Sequence, residues 1–137
     1  MIPSFLIGLA AGHRSAAPLA LLAWHHREER PWTAAVAGLM GAGELVADKL
    51  PATPARTEAV PLVARLGAGA LAGGSIGRTR VLGALAGAAG AAVGTWAGYK
   101  LRIGLTRRLG RDWPVAVAED ALAVGLSSYA IRAARTA

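Results

Sequence analysis

Cysteine is absent from this chain, which excludes disulfides and thiolate chemistry and leaves the redox compartment open. Lysine is almost absent as well. The 15 basic side chains are 13 arginines and 2 lysines, and with the abundant alanine that bias fits a GC-rich bacterial genome. No phosphate-binding loop, nucleophile elbow or zinc-protease motif is present, so the sequence leans against an enzyme without deciding the matter. The N-terminus has no basic leader, and His13-Arg14 interrupts its apolar run, which argues against a cleaved signal peptide. His25 and His26 are adjacent rather than one helical turn apart, a poor spacing for zinc. A pI near 11.3 raises the question of nucleic acid, but no basic helix or stacking platform stands apart from the apolar segments. The positive charge is better suited to anionic lipid headgroups at a membrane surface.

What the chain does have is apolar length. Five Gly/Ala/Leu/Val-rich stretches, 3–24, 32–50, 60–77, 81–104 and 114–133, each approach the ~20 residues needed to cross hydrocarbon. The connectors between them are short and polar, so residues 1–137 form one integral membrane domain. The expected fold is all-α: a polytopic bundle of about five transmembrane helices, multi-pass in the bacterial cytoplasmic membrane. Trp24, Trp32, Tyr99 and Trp113 flank the connectors, as interfacial aromatics do. Five spans place the two termini on opposite faces, with Met1 sharing its face with the 106–112 connector. Seven basic residues on that face against six on the other barely set an orientation, although the run from Lys100 to Arg111 favours a cytoplasmic Met1 face.

Eighteen glycines, poor helix formers in water, make sense where helices must approach closely. Gly8 and Gly12, then Gly69, Gly73 and Gly77, then Gly83, Gly87, Gly90, Gly94 and Gly98 form stripes at helical spacing. Such stripes join helices within one bundle or between copies, and a homo-oligomer is expected through them. A short likeness between Gly8–Arg14 and Gly94–Lys100 suggests an inverted repeat, in which the first and fourth spans run in opposite directions.

The functional signal is charge inside the apolar stretches. Arg14, Glu44, Asp48, Arg65, Glu119 and Asp120 all lie there. An ionised side chain at mid-membrane costs about 2.5–3.5 kcal/mol on insertion scales, so six oppose insertion by roughly 15–20 kcal/mol. They must pair, line water or bind something. At 1.5 Å rise per residue, Glu44, Arg65, Glu119 and Asp120 lie about 8–9 Å from the same face. Asp48 is one turn shallower, and Arg14 is long enough to reach the layer. Pro18 cannot donate to the carbonyl of Arg14, so the first helix is expected to kink or break around Gly12–Ser15. Four acids against two deep arginines leave excess negative charge, with Lys49 able to offset one unit. Arg14, Ser15, Glu44, Asp48, Lys49, Arg56, Arg65, Glu119 and Asp120 are therefore the candidate substrate- or ion-binding residues. Glu44, Asp48, Glu119 and Asp120 are the candidate ligands should a divalent cation bind; no motif calls for any other cofactor.

Gly12-His13-Arg14-Ser15, Glu44 followed by Asp48-Lys49-Leu50-Pro51, Pro54-Ala55-Arg56-Thr57, Arg65-Leu66-Gly67-Ala68 and Glu119-Asp120 occur in that order. In these motifs the chain resembles the small bacterial membrane proteins grouped as domain of unknown function 4126. The resemblance implies a membrane protein and this choice of residues, but no chemistry. Three functional classes follow from the residues. The first is a small transporter or channel with a carboxylate/arginine site open to one face. The second is a membrane-embedded enzyme or binder acting on a lipid phosphate with a divalent cation. The third is a membrane scaffold subunit.

Overall fold

The computed structural model describes residues 1–26, 28, 59–110 and 113–136. The second expected span, 32–50, lies outside them. Among the described residues there are five helices and no strand: α1 (Ile2–His13), α2 (Ala16–His25), α3 (Ala59–Ile76), α4 (Arg80–Leu109) and α5 (Trp113–Arg135). Two stretches, Arg80–Arg108 of α4 and Trp113–Arg135 of α5, are long and apolar enough to cross a membrane.

The first apolar stretch is not one span. It breaks at Arg14, whose backbone is extended at φ −142° and ψ 110°, and helix resumes after Ser15. Pro18 thereby falls in the first turn of α2, where its missing N–H matters least. The chain then reverses. Leu22 lies in the same buried cluster as Ile7, Ala72, Ala130 and Ile131. An uninterrupted helix would separate Ile7 from Leu22 by about 22 Å. With α1 and α2 at 12 and 10 residues, the arms of this helical hairpin are roughly 18 and 15 Å long, each short of the ~30 Å hydrocarbon core.

Glycine contacts set the remaining directions. A side chain on Gly8 would strike the carbonyl of Gly87, and one on Gly12 would strike Ala91 and Gly94, so α1 and α4 run parallel. Gly73 abuts Gly83 and Gly87 while Gly69 abuts Gly87 and Ala91, so α3 and α4 run antiparallel. Ser4 lies against Gly77, and Ala11 packs with Ala68, so α1 and α3 are antiparallel too. α4 thus sits between α1 and α3 with backbones touching on both sides. Only hydrogen side chains permit that approach, which yields dense dispersion contacts and Cα–H···O contacts.

Two expectations are corrected by these directions. Met1, the end of α2, the 77–79 turn and the end of α5 lie at one end of the bundle. The start of α3, the end of α4 and the start of α5 lie at the other. Met1 therefore shares its end with Thr136 rather than with the 106–112 connector. The parallel run of α1 and α4 removes the inverted repeat, because chance likeness is common in Gly/Ala-rich sequence. The glycine stripes, expected to join helices within one bundle or between copies, are used within the chain where α1, α3 and α4 pack on one another.

Candidate functional site

The tip of the hairpin carries the site. The turn at Arg14–Ser15 leaves the last carbonyls of α1 without helical partners. Thr95 of α4, 5% exposed, answers one of them, its Oγ1 donating to the Gly12 carbonyl at 3.4 Å. The backbone N–H of Arg14 still donates to the Ala10 carbonyl at 2.9 Å. Ser15 stands at the N-cap of α2, but its hydroxyl does not cap the helix.

With its backbone held, the Arg14 side chain crosses to α5, where Nε donates to Oδ1 of Asp120 at 2.5 Å across 106 positions of sequence. Arg14 is 12% exposed and Asp120 43%, so the carboxylate side of this pair is the more open. The neighbouring Glu119 is 2% exposed and faces α4, where Nη1 of Arg102 stands 3.6 Å from Oε2. Successive residues of α5 are thus held by different arginines, because a helix turns about 100° per residue and aims adjacent side chains apart.

His13 completes the group. It is 4% exposed, and its Nδ1 lies 3.0 Å from the Leu9 carbonyl. A carbonyl can only accept, so Nδ1 carries the proton and the other ring nitrogen, Nε2, is left to face elsewhere. It faces Gly98. A Cβ on Gly98 would stand 3.5 Å from Nε2 of His13 and 3.7 Å from Oε1 of Glu119. Glycine there leaves no side chain between two buried titratable groups.

Arg65 is buried on α3, one turn before Ala68, which packs with Ala11 and Ala91. It therefore lies near the level of the hairpin tip, within about one turn of Glu119 along the bundle axis. Of the candidate residues, Arg14 and Asp120 are in direct contact, and Ser15, Arg65 and Glu119 lie at the same end. Glu44, Asp48, Lys49 and Arg56 lie outside the described residues. No group of three or more metal-ligating side chains occurs among the described residues, and Glu119 and Asp120 are each engaged by an arginine.

Arg102 and Thr95 belong to the site although sequence reasoning passed over them; His13 and Gly98, named in the Gly12–Ser15 motif and the glycine stripe, were not chosen as candidates. Arg102 had a readable signal, since it continues the Gly90, Gly94, Gly98 stripe by one more turn. Thr95 had none, because its role depends on how α1 meets α4.

Fold and site together define a small all-helical protein with a broken, charge-tipped helical hairpin set against two long apolar helices. The chain belongs to the family described as Domain of unknown function (DUF4126), whose model matches residues 1–137, the whole chain. No curated protein and no solved structure matches it.

Proposed function

We propose that this is a multi-pass protein of the bacterial cytoplasmic membrane that passes a small ion, with the α1–α2 hairpin entering the bilayer from one face and turning back. The observation that carries this reading is Arg14 at the hairpin tip bonded to Asp120 of α5. Helix ends and broken backbone at membrane depth are tolerated where they line water or a protein-enclosed site, which is where ion pathways are built. A hairpin arm of about 18 Å reaches past the middle of a ~30 Å core. Its charged tip would then stand about 10 Å from the far end of α5.

The lipid-facing surface is consistent with this placement. Val81, Leu85, Val93 and Trp96 on α4, and Val117, Val124 and Tyr129 on α5, are exposed. Large apolar side chains exposed in this number suit a surface that lipid or protein covers. Lys100 lies over the Trp96 ring, its Nζ 5.9 Å from the centroid, and Arg107 and Arg108 follow in the last turn of α4. This cationic end suits anionic headgroups.

In this reading the Arg14–Asp120 pair is a gate. A passing cation competes with Arg14 for Asp120, and a passing anion competes with Asp120 for Arg14. Partial hydration of Asp120 keeps the exchange from requiring a fully stripped charge. Reconstitution into sealed liposomes tests the reading, with proton, alkali-cation and halide fluxes measured against protein-free vesicles. Wild-type protein should pass at least one of these ions, and Asp120→Asn should change the rate or the selectivity. Folded protein that passes none of them would refute the proposal.

A further inference from the structure

The gate does not account for His13 and Glu119, two titratable side chains buried beside it. Both are more than nine-tenths buried, and both stand beside Gly98. Among the described residues, the His13 ring makes a single hydrogen bond, from Nδ1 to Leu9. That bond sets the ring's orientation and leaves Nε2 as the basic nitrogen on the Gly98 side.

We infer that His13 and Glu119 form a proton-exchange pair across Gly98, which makes the proton the ion this site handles. The inference rests on the ion-passing reading above and names its substrate. A proton leaves the carboxylic acid of Glu119 at Oε1 and reaches neutral His13 at Nε2 through one water beside Gly98. The acid becomes a carboxylate, the imidazole becomes an imidazolium, and no other bond changes. A site flanked by a carboxylate oxygen and an imidazole nitrogen supplies the polar partners an ordered water requires.

Each packed element contributes to the charge around this pair. α4 brings Arg102 to 3.6 Å from Glu119. α5 contributes Asp120, which Arg14 of the hairpin turn engages. α3 brings Arg65 to the same end of the bundle, and Thr95 of α4 holds the adjacent turn of α1.

Gly98→Ala supplies the decisive variant. Its added methyl would lie 3.4 Å or more from its described neighbours, an ordinary contact that leaves the fold intact while standing between Nε2 of His13 and Oε1 of Glu119. Liposomes loaded with a trapped pH-sensitive dye, their potential clamped by potassium and valinomycin, should report proton flux by wild-type protein. Gly98→Ala and Glu119→Gln should each lower that flux by about a hundredfold, the lower range of what a positioned acid–base group contributes. Circular dichroism should show an unchanged melt for Gly98→Ala. Nitrogen-15 NMR gives a second readout: the Nε2 resonance of His13 should move in Glu119→Gln while Nδ1 stays protonated. Wild-type proton flux in Gly98→Ala, or an unmoved Nε2 resonance, would overturn the exchange pair. Wild-type protein that passes another ion but no protons would overturn this inference and leave the ion-passing reading standing. No flux of any ion would remove both.

Discussion

Arg14 and Asp120 are joined by a 2.5 Å hydrogen bond that ties the turn of a helical hairpin to the middle of a long helix. Removing either charge takes a counter-ion from the other in a half-buried setting. Arg14→Met or Asp120→Asn should destabilise the protein by about 1–3 kcal/mol, less than the ~3–5 kcal/mol of a fully buried pair because Asp120 is 43% exposed. The double variant Arg14→Met/Asp120→Leu should recover most of that loss, since a buried pair is commonly no better than an apolar replacement. Denaturant titration in detergent reads both. A double variant as unstable as the sum of the singles would show that the two side chains act independently.

Chain reversal makes a sharp topological prediction, and the native absence of cysteine makes it convenient to test. Single cysteines at Ile2, His26 and Thr136 should react with an impermeant maleimide from one side of the membrane, and a cysteine at Arg107 from the other. Labelling of Ile2 and His26 from opposite sides would mean that α1 and α2 cross the bilayer as one span.

Backbone contact predicts opposite outcomes for chemically identical substitutions. Gly8→Ala and Gly87→Ala each drive a methyl into a facing backbone and should cost about 1–3 kcal/mol. Among the described residues, Gly67, Gly104 and Gly125 meet nothing within 4 Å, and alanine at these sites should be neutral or stabilising by about 0.4–1 kcal/mol. Thermal unfolding of the five variants separates the two groups. Equal losses in both would contradict the packing of α4 between α1 and α3.

Tautomer assignment gives a further check on the hairpin tip. Because the Leu9 carbonyl accepts from Nδ1 of His13, neutral His13 should show a protonated Nδ1 and a bare Nε2 in nitrogen-15 spectra. The reverse tautomer would mean that α1 does not hold the ring in this orientation.

Much of the site was readable because charge inside an apolar stretch is conspicuous whatever the fold. Arg14, Arg65, Glu119 and Asp120 could be singled out from their flanks, and counting residues at 1.5 Å each placed three of them in one layer. Arg102 escaped because it lies near the end of its apolar stretch, where an arginine ordinarily reaches the interface. His13, named beside Arg14, was not chosen as a candidate because a histidine beside an arginine carries no periodic signal. Its meaning comes from Gly98, 85 positions later, and from Glu119 beyond it.

By itself the sequence determined family membership, helical character, the position of the break before Pro18 and the residues at which helices touch. Each of these is local: a missing N–H, an absent Cβ or a run of apolar side chains acts wherever the chain goes. The tertiary structure alone decided the direction taken after the break. A proline removes a hydrogen bond, but it assigns no angle to the chain that follows. A straight or folded segment 3–24 has the same composition and the same hydropathy. Burial of Leu22 beside Ile7, Ala72 and Ile131 selects the reversal, and with it the end of the bundle at which Met1 lies. That same reversal delivers Arg14 to Asp120, because only a turn leaves a side chain projecting from the end of α1 toward α5.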